Sequence, residues 1–239
     1  MTVAAETELV IFDLDGVLVD SEIVMARLLT ERLRTAGIAI DTPTLIRRFH
    51  YTPIETIPKR LGREQGVTVA DDLVADLWEV YYRVLETELN AIAGAEETVA
   101  ALGLPKCIAS GSRPENLRWK LQHVGLLDHF EPALFSAFDV PHGKPAPDVF
   151  LHAAARMKAR PESCLVIEDA VVGVQAARAA GMPVLGFAGG GHWYPGMEES
   201  LAAAGADAVL SDLRDLAGMI ADRVEAGRTG PHENGTALA

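Results

Sequence analysis

Near its start the chain reads LVIFDLDG over residues 9–16, an apolar run that ends in two carboxylates and a glycine. Four apolar residues flanked by charge predict a buried strand. At the end of a strand, residues i and i+2 point to the same side, so Asp13 and Asp15 would face one pocket. Gly16 would let the chain turn sharply there. Taken alone, the same spacing also fits a turn with two solvated aspartates, because Asp is common in turns.

Three more segments carry polar groups at comparable positions, namely Ile108–Ser112, Gly143–Asp148 and Leu165–Asp169. Two of them end an apolar run, and the third is a loop stiffened by Pro145 and Pro147. In a parallel sheet every strand ends at the same edge, where open α/β sheets bind their ligands. We therefore expect all four segments to meet at one site.

These segments together supply the parts of a site that handles phosphate. One of the two aspartates could attack phosphorus while the other protonates the leaving oxygen. Ser110, the backbone N–H of Gly111 and the next helix N-terminus would form an anion cradle, although they also fit an ordinary helix cap. Lys144 could neutralise a transferring phosphoryl group. Arg113 is either a cation for a remote anionic group of the substrate or a solvated charge.

Glu168 and Asp169 follow a four-residue apolar run, so they should lie beside Asp13 and Asp15. Such a cluster cannot stay fully ionised without a cation, and hard oxygen ligands favour Mg²⁺. Taken alone, the Glu-Asp pair before a helix would only complement the helix dipole. The order and common position of the four motifs favour a Mg²⁺-dependent phosphoryl-transfer site.

The rest of the chain alternates helical and strand patterns, which is typical of βαβ units and a parallel sheet. The predicted strands cover 9–12, 106–110, 133–136, 164–168, 183–187 and 207–210; the predicted helices cover 20–34, 44–49, 54–61, 70–89, 95–103, 114–124, 147–157, 170–180, 196–204 and 212–224. Asp20 or Ser21 could cap the first helix. The fold class is therefore α/β, with a doubly wound, mostly parallel core at 1–18 and 92–226. An all-helical cap is inserted at 19–91, and residues 227–239 are expected to be a disordered tail.

Composition limits the possible partners. The formal net charge of −13 would repel nucleic acid and anionic membranes, so a small phosphorylated metabolite is the expected partner and no protein partner is implied. Cys107 and Cys164 fall in predicted strands and are interpreted as small core residues, not as a disulfide. No run approaches the ~20 apolar residues of a membrane span, and no secretion signal is recognised, so we expect a cytoplasmic protein.

The motifs DLDGVLVDSE (13–22), Ser110, GKPAPD (143–148) and EDAVVG (168–173) together resemble the haloacid dehalogenase superfamily, in particular its β-phosphoglucomutase-like phosphatases with a helical cap. The resemblance implies that Asp13 is a nucleophile that forms an aspartyl-phosphate and that Asp15 is a general acid and then a base. It also implies that Ser110 and Lys144 hold the phosphoryl group. The implied Mg²⁺ ligands are Asp13, the backbone carbonyl of Asp15, Glu168 and Asp169. Residues 88–95 and the segment after Ser110 are most similar to bacterial 6-phosphogluconate phosphatases, which suggests a sugar or sugar-acid phosphate as substrate.

Some positions depart from the family pattern. The mutases carry a histidine about ten residues after the first aspartate, and the sequence around Met25 has none, so hydrolysis is favoured over the alternative of a phosphomutase. A phospho-aspartate receiver, which does not turn over a substrate, would not need the helical insertion. In the cap, Arg47, Arg48 and His50 are candidate substrate contacts, although the arginines also fit a solvated helix face. The run Gly189–His192 fits no phosphate-loop spacing and is interpreted as a flexible loop near the same edge.

Overall fold

A computed structural model of the protein describes residues 7–50 and 52–221, so the predicted tail at 227–239 lies outside the described residues. The strands are β1 (Leu9–Phe12), β2 (Lys106–Ser110), β3 (Leu134–Ser136), β4 (Cys164–Glu168), β5 (Val184–Phe187) and β6 (Ala208–Leu210). All pair in parallel in the order β3-β2-β1-β4-β5-β6. The predicted doubly wound α/β fold is confirmed.

Strand β1 lies at the centre of this sheet. Ile11 is in register with Cys107 of β2 on one side and with Val166 of β4 on the other. The chain runs outward from β1 to β3 and then returns to add β4 beside β1, so the strand order reverses between these two strands. Open α/β sheets bind ligands at such a switch point, outside the carboxyl ends of the strands.

Core helices cover both faces of the sheet: α5 (Ala95–Ala101), α6 (Pro114–His123), α7 (Asp148–Met157), α8 (Val171–Ala179) and α9 (Met197–Ala204). The alternation of side chains along β1 divides the core between the faces. Val10 and Phe12 belong to the hydrophobic cluster that includes α5 and α6, whereas Leu9 and Ile11 belong to the cluster with α7, α8 and α9. The two cysteines are buried and free on the second face, as predicted.

The first four of the helices between β1 and β2 form what we call the cap: α1 (Glu22–Thr35), α2 (Thr42–Phe49), α3 (Ile57–Gln65) and α4 (Leu77–Glu88). Their apolar faces meet in one cluster that includes Leu29, Leu45, Leu61, Leu77 and Leu85. Residues 20–50 and 52–90 contain helices, turns and irregular loops but no strand, as the lack of strand patterns in this segment predicts.

Two connections join the cap to the sheet, and they run side by side. The backbone N–H of Asp20 donates to the carbonyl of Asn90 at 2.9 Å, and that of Ile92 donates to the carbonyl of Leu18 at 2.9 Å. Val19 and Ala91 form an antiparallel bridge between them. The chain therefore enters and leaves the cap at one place, and the domain boundaries at 18/19 and 91/92 stay a prediction.

One predicted helix is shorter than expected. Residues 71–76 form turns, and the helix predicted over 70–89 begins only at Leu77. The backbone N–H of Ala75 donates to the carbonyl of Asp72 three residues before it, so the turn is tighter than α-helix. Aspartates favour such turns. Asp71 pairs with Lys59 and Asp76 pairs with Arg32, which ties the segment to α3 and α1.

Among residues 7–50 and 52–221, none of the helices has the length and apolar character needed to cross a membrane.

Candidate active site

Three carboxylates meet at the switch point of the sheet. Asp13 directly follows β1, Glu168 ends β4 and Asp169 comes next. One oxygen from each lies within 4.8 Å of the others. Their residues are 6%, 0% and 1% exposed, respectively. The structure thus brings together side chains that are separated by more than 150 positions in the sequence.

Lys144, from the loop before α7, reaches into this cluster. Its Nζ lies 3.0 Å from Oδ1 of Asp13 and 2.5 Å from Oε1 of Glu168. The other oxygen of Glu168 accepts a hydrogen bond of 3.0 Å from the backbone N–H of Ala170. Burial opposes the charge on Lys144, but Asp13 and Glu168 outweigh it and raise the pKa of the ammonium group. Lys144 is therefore a fixed cation between two carboxylates.

One lysine does not balance three buried carboxylates. Burial raises the pKa of Asp13 to about 6; Lys144 opposes the shift, and Asp169 and Asp15 add to it. Burial also raises the pKa of Glu168 to about 8, against the effect of Lys144. Full ionisation of the cluster would therefore leave an excess of negative charge in a site made of hard oxygen donors, which a small divalent cation can balance.

Asp15 faces the same cavity but has a different set of partners. Its Oδ1 accepts from the hydroxyl of Ser21 at 2.5 Å and also contacts Nζ of Lys120, while Oδ2 accepts from the hydroxyl of Ser112 at 2.7 Å. Burial would raise the pKa of Asp15, but Lys120 and the two hydroxyls outweigh it and hold the pKa below its usual value. Adjacent carboxylates thus have opposite pKa shifts, which is the pattern expected when two acids have different tasks.

Sequence reasoning missed these partners of Asp15. The sequence predicts Asp20 or Ser21 as the cap of the first helix, but the side chain of Ser21 makes no capping hydrogen bond and donates to Asp15 instead. Lys120 is 2% exposed between the buried Leu117 and Leu121 of α6. A lysine on the apolar face of a predicted helix indicates a buried ion pair in the sequence alone, because lysine is almost never buried without a partner.

A cavity of about 1050 Å³ opens from Asp13 and Asp15 toward the cap. Ser110, 1% exposed at the end of β2, lies on its wall with Gly111, and the Oγ of Ser110 accepts from the backbone N–H of Ser112 at 3.0 Å. The cap side of the wall includes the apolar or aromatic side chains of Met25, Leu45, Phe49, Trp78 and Tyr81. The site is therefore enclosed jointly by the core and the cap.

Arg113 also lines this cavity, with its guanidinium carbon 4.6 Å from the centre of the Phe138 ring. Within residues 7–50 and 52–221 it forms no ion pair. The cation of Arg113 is therefore available to an anionic group that enters the cavity.

The two cap arginines lie elsewhere. Arg48 pairs with Glu64, at 2.6 Å between Nη2 and Oε2, and Arg47 is exposed; neither lines the cavity. These positions do not support the expectation that the two arginines contact the substrate, because Arg48 pairs with Glu64 of α3 and Arg47 lies outside the cavity wall. His50 does line the cavity, and its contact with the substrate stays a prediction.

The glycine run at 189–191 carries a residue that sequence reasoning left out of the site. His192 is 0% exposed, and its Nε2 lies 2.9 Å from Oδ2 of Asp169. Burial opposes the charged imidazole, but the nearby carboxylate of Asp169 outweighs it and raises the pKa of His192. The loop therefore does more than border the site, since it brings a buried imidazole onto one of the three carboxylates.

Gly173 in α8 makes room for Glu168. A Cβ on this glycine would lie 1.8 Å from Oε1 of Glu168. We expect Gly173→Ala to reduce the free energy of unfolding by about 1–3 kcal/mol, because the carboxylate or the helix must move. Urea denaturation measures this change.

Gly103→Ala is the matched control for this substitution, since nothing lies within 4 Å of its added Cβ. Equal stability of Gly173→Ala and Gly103→Ala would show that Glu168 does not need the close approach of α8.

Comparisons with known proteins agree with this geometry. A family model described as haloacid dehalogenase-like hydrolase matches residues 7–181. The chain is 32% identical over 189 residues to the 6-phosphogluconate phosphatase of Escherichia coli, covering 79% of this chain and 86% of that protein.

Two solved structures of haloacid dehalogenase-like proteins superimpose on this chain. A haloacid dehalogenase-like protein of unknown function from Agrobacterium tumefaciens superimposes with a TM-score of 0.88 at 37% identity, covering 91% of this chain and 99% of that one. A family hydrolase from Deinococcus radiodurans, solved with bound phosphate and sodium, gives a TM-score of 0.81 at 33% identity, covering 95% and 100%.

Proposed function

The chain belongs to the haloacid dehalogenase-like hydrolases and is a phosphoric monoester hydrolase, and we propose that it hydrolyses a small sugar or sugar-acid phosphate through an aspartyl-phosphate on Asp13. The observation that carries the proposal is the pairing of Asp13 with Lys144 inside a buried carboxylate cluster, with Asp15 on the wall of the same cavity.

We propose that the metal used by this family is Mg²⁺ in this protein, held by Asp13, Asp169, Glu168 and the backbone carbonyl of Asp15. The excess negative charge of three buried carboxylates around one lysine supports this choice. When bound, the ion supplies charge neutralisation and polarisation of the phosphoryl oxygens. It also offsets the repulsion that a chain of net charge −13 exerts on an anionic substrate.

In the first half of the reaction, an oxygen of Asp13 attacks phosphorus and the bond from phosphorus to the leaving oxygen breaks. Lys144 and the hydroxyl of Ser110 hold the transferring phosphoryl group. Asp15 gives its proton to the leaving oxygen. Asp15 must be protonated for this step, and the arrival of a substrate dianion raises its pKa toward that state.

In the second half, water attacks the phosphorus of the aspartyl-phosphate, Asp15 takes the proton from that water, and phosphate leaves with Asp13 regenerated. The low pKa of Asp15 in the free enzyme favours its ionised form, which is the form that can act as the base in this step. Lys120, Ser21 and Ser112 would set the position of its carboxylate for this step.

We propose that residues 19–91 act as a closing cap. Cap side chains form one wall of the cavity, and the paired connections at 18–20 and 90–92 concentrate any hinge motion at one place. Closure would exclude bulk water while the aspartyl-phosphate forms.

The substrate class is tested by incubating the enzyme with a panel of phosphorylated sugars, sugar alcohols and sugar acids. We expect free phosphate to appear at the rate of substrate loss. An isomeric phosphate ester without free phosphate would instead establish the alternative, a phosphomutase of the β-phosphoglucomutase type. No turnover of any phosphate ester would overturn the proposal.

Arg113 supports a substrate with a second anionic group, because its guanidinium lines the cavity and forms no ion pair in the described part of the chain. We expect Arg113→Ala to raise KM about tenfold for a sugar-acid phosphate, through loss of a charge-assisted hydrogen bond, and to leave KM for neutral sugar phosphates nearly unchanged. Steady-state kinetics on matched substrates measure both values.

Arg48→Ala is the control, since Arg48 pairs with Glu64 away from the cavity. Equal effects of the two substitutions, or an equal change for acidic and neutral substrates, would show that Arg113 does not recognise a second anion.

A further inference from the structure

His192 makes a direct contact with one of the three clustered carboxylates. Its Nε2 lies 2.9 Å from Oδ2 of Asp169, and both side chains are about 1% exposed or less. An imidazole nitrogen this close to a carboxylate oxygen, with both side chains buried, restricts the rotation of the carboxylate. Partners of this kind behind a metal ligand commonly fix its orientation.

The glycine loop and the first catalytic loop are both shaped around this pair. A Cβ on Gly16, whose φ is +79°, would lie 2.0 Å from Oδ2 of Asp169 and 2.9 Å from Cε1 of His192. A Cβ on Gly190 would lie 2.6 Å from the His192 ring. Gly191 donates its backbone N–H to Oδ1 of Asp20 at 3.0 Å, which ties the loop to the cap connection.

The cap reaches the same pair through His50, the residue that follows α2. The centres of the His50 and His192 rings lie 5.0 Å apart, and the ring of Tyr194 lies 5.8 Å from that of His50. Donor atoms of His50, His192 and Asp169 all fall within 4.8 Å of one another. A movement of α2 away from the core would therefore remove a neighbour from His192.

We infer that His192 is a positioning residue that fixes the Asp169 carboxylate, and that His50 makes this orientation depend on the position of the cap. The inference rests on the proposed function, in which Asp169 binds the metal. It predicts that metal affinity, and not only turnover, responds to both histidines.

The test measures Mn²⁺ binding without substrate, by the electron paramagnetic resonance signal of the free ion, in the full-length protein. We expect one Mn²⁺ per chain. His192→Leu should weaken binding at least about tenfold. His192→Gln should stay within about threefold of the wild type, because its amide N–H can replace the ring nitrogen. Rescue by glutamine separates positioning from simple packing.

A double-mutant cycle measures the contribution of the cap to Mn²⁺ binding. His50→Leu should weaken Mn²⁺ binding at least about twofold, and adding it to His192→Leu should cause no further loss, because the effect passes through His192. His152→Leu is the control: His152 packs against Phe135, away from the site, and its loss should leave Mn²⁺ binding unchanged. Melting curves of every variant show whether it is folded.

Asp169→Asn separates failure of this inference from failure of the proposed function. Wild-type Mn²⁺ affinity in Asp169→Asn would overturn the metal site itself. Loss of binding in Asp169→Asn with unchanged binding in a folded His192→Leu variant would overturn the inference alone. A second Mn²⁺ that is lost in both histidine variants would also overturn it, by showing that the histidines are ligands themselves.

Discussion

Asp13→Asn is expected to lower the rate of phosphate release by at least about 10⁴-fold, because an amide cannot replace the carboxylate as a nucleophile. The remaining groups of the site, Lys144 and Asp15 among them, would still bind the substrate. The loss should therefore fall on kcat, with KM changed much less. A continuous assay of phosphate release measures both parameters.

The fold should survive this substitution. Burial raises the pKa of Asp13, so its charged form is disfavoured in the folded protein, and removing that charge should not lower the melting temperature measured without metal. Asp76→Asn is the control, because Asp76 is an exposed cap residue that pairs with Arg32. An Asp13→Asn enzyme with activity close to that of the wild type would refute the assignment of the nucleophile.

Removal of divalent metal is expected to have the second largest effect. Dialysis against EDTA should reduce phosphate release at least about 10³-fold, because the three buried carboxylates then repel the substrate dianion without a divalent ion to offset their charge. Mg²⁺ should restore the rate fully. The same titration followed by melting temperature should show stabilisation, since the ion binds the folded state.

Asp169→Asn provides the control for metal removal. This variant should lose most of the stabilisation by Mg²⁺ while remaining folded. A metal-free wild-type enzyme that keeps its full rate, confirmed by elemental analysis, would contradict the proposed role of the carboxylate cluster.

The site residues that could be predicted from the sequence are those at the ends of the sheet's strands. Asp13, Ser110 and Glu168 each stand where a buried apolar run stops, and parallel pairing then brings these strand ends to one edge. The fold class follows from the alternation of helical and strand patterns along the chain. The order β3-β2-β1-β4-β5-β6 does not, because the apolar patterns of buried parallel strands do not show which strands are neighbours.

The features that sequence could not predict depend on packing between distant segments. His192 meets Asp169 only because three glycines let its loop fold back toward Gly16. Arg48 of α2 pairs with Glu64 of α3, and the hydrophobic periodicity of the two helices does not show that these side chains meet. Lys120 is the intermediate case, since its place on the buried face of α6 was visible in the sequence and its partner Asp15 was not.

The most direct test of the account is to trap the covalent intermediate. The enzyme is mixed with its phosphorylated substrate, quenched in acid during turnover, reduced with borohydride and digested for mass spectrometry. An aspartyl-phosphate is converted to homoserine by this treatment, and we predict homoserine at position 13, dependent on substrate. Its absence at position 13 under turnover, or its appearance at Asp15 or Asp169 instead, would contradict the account.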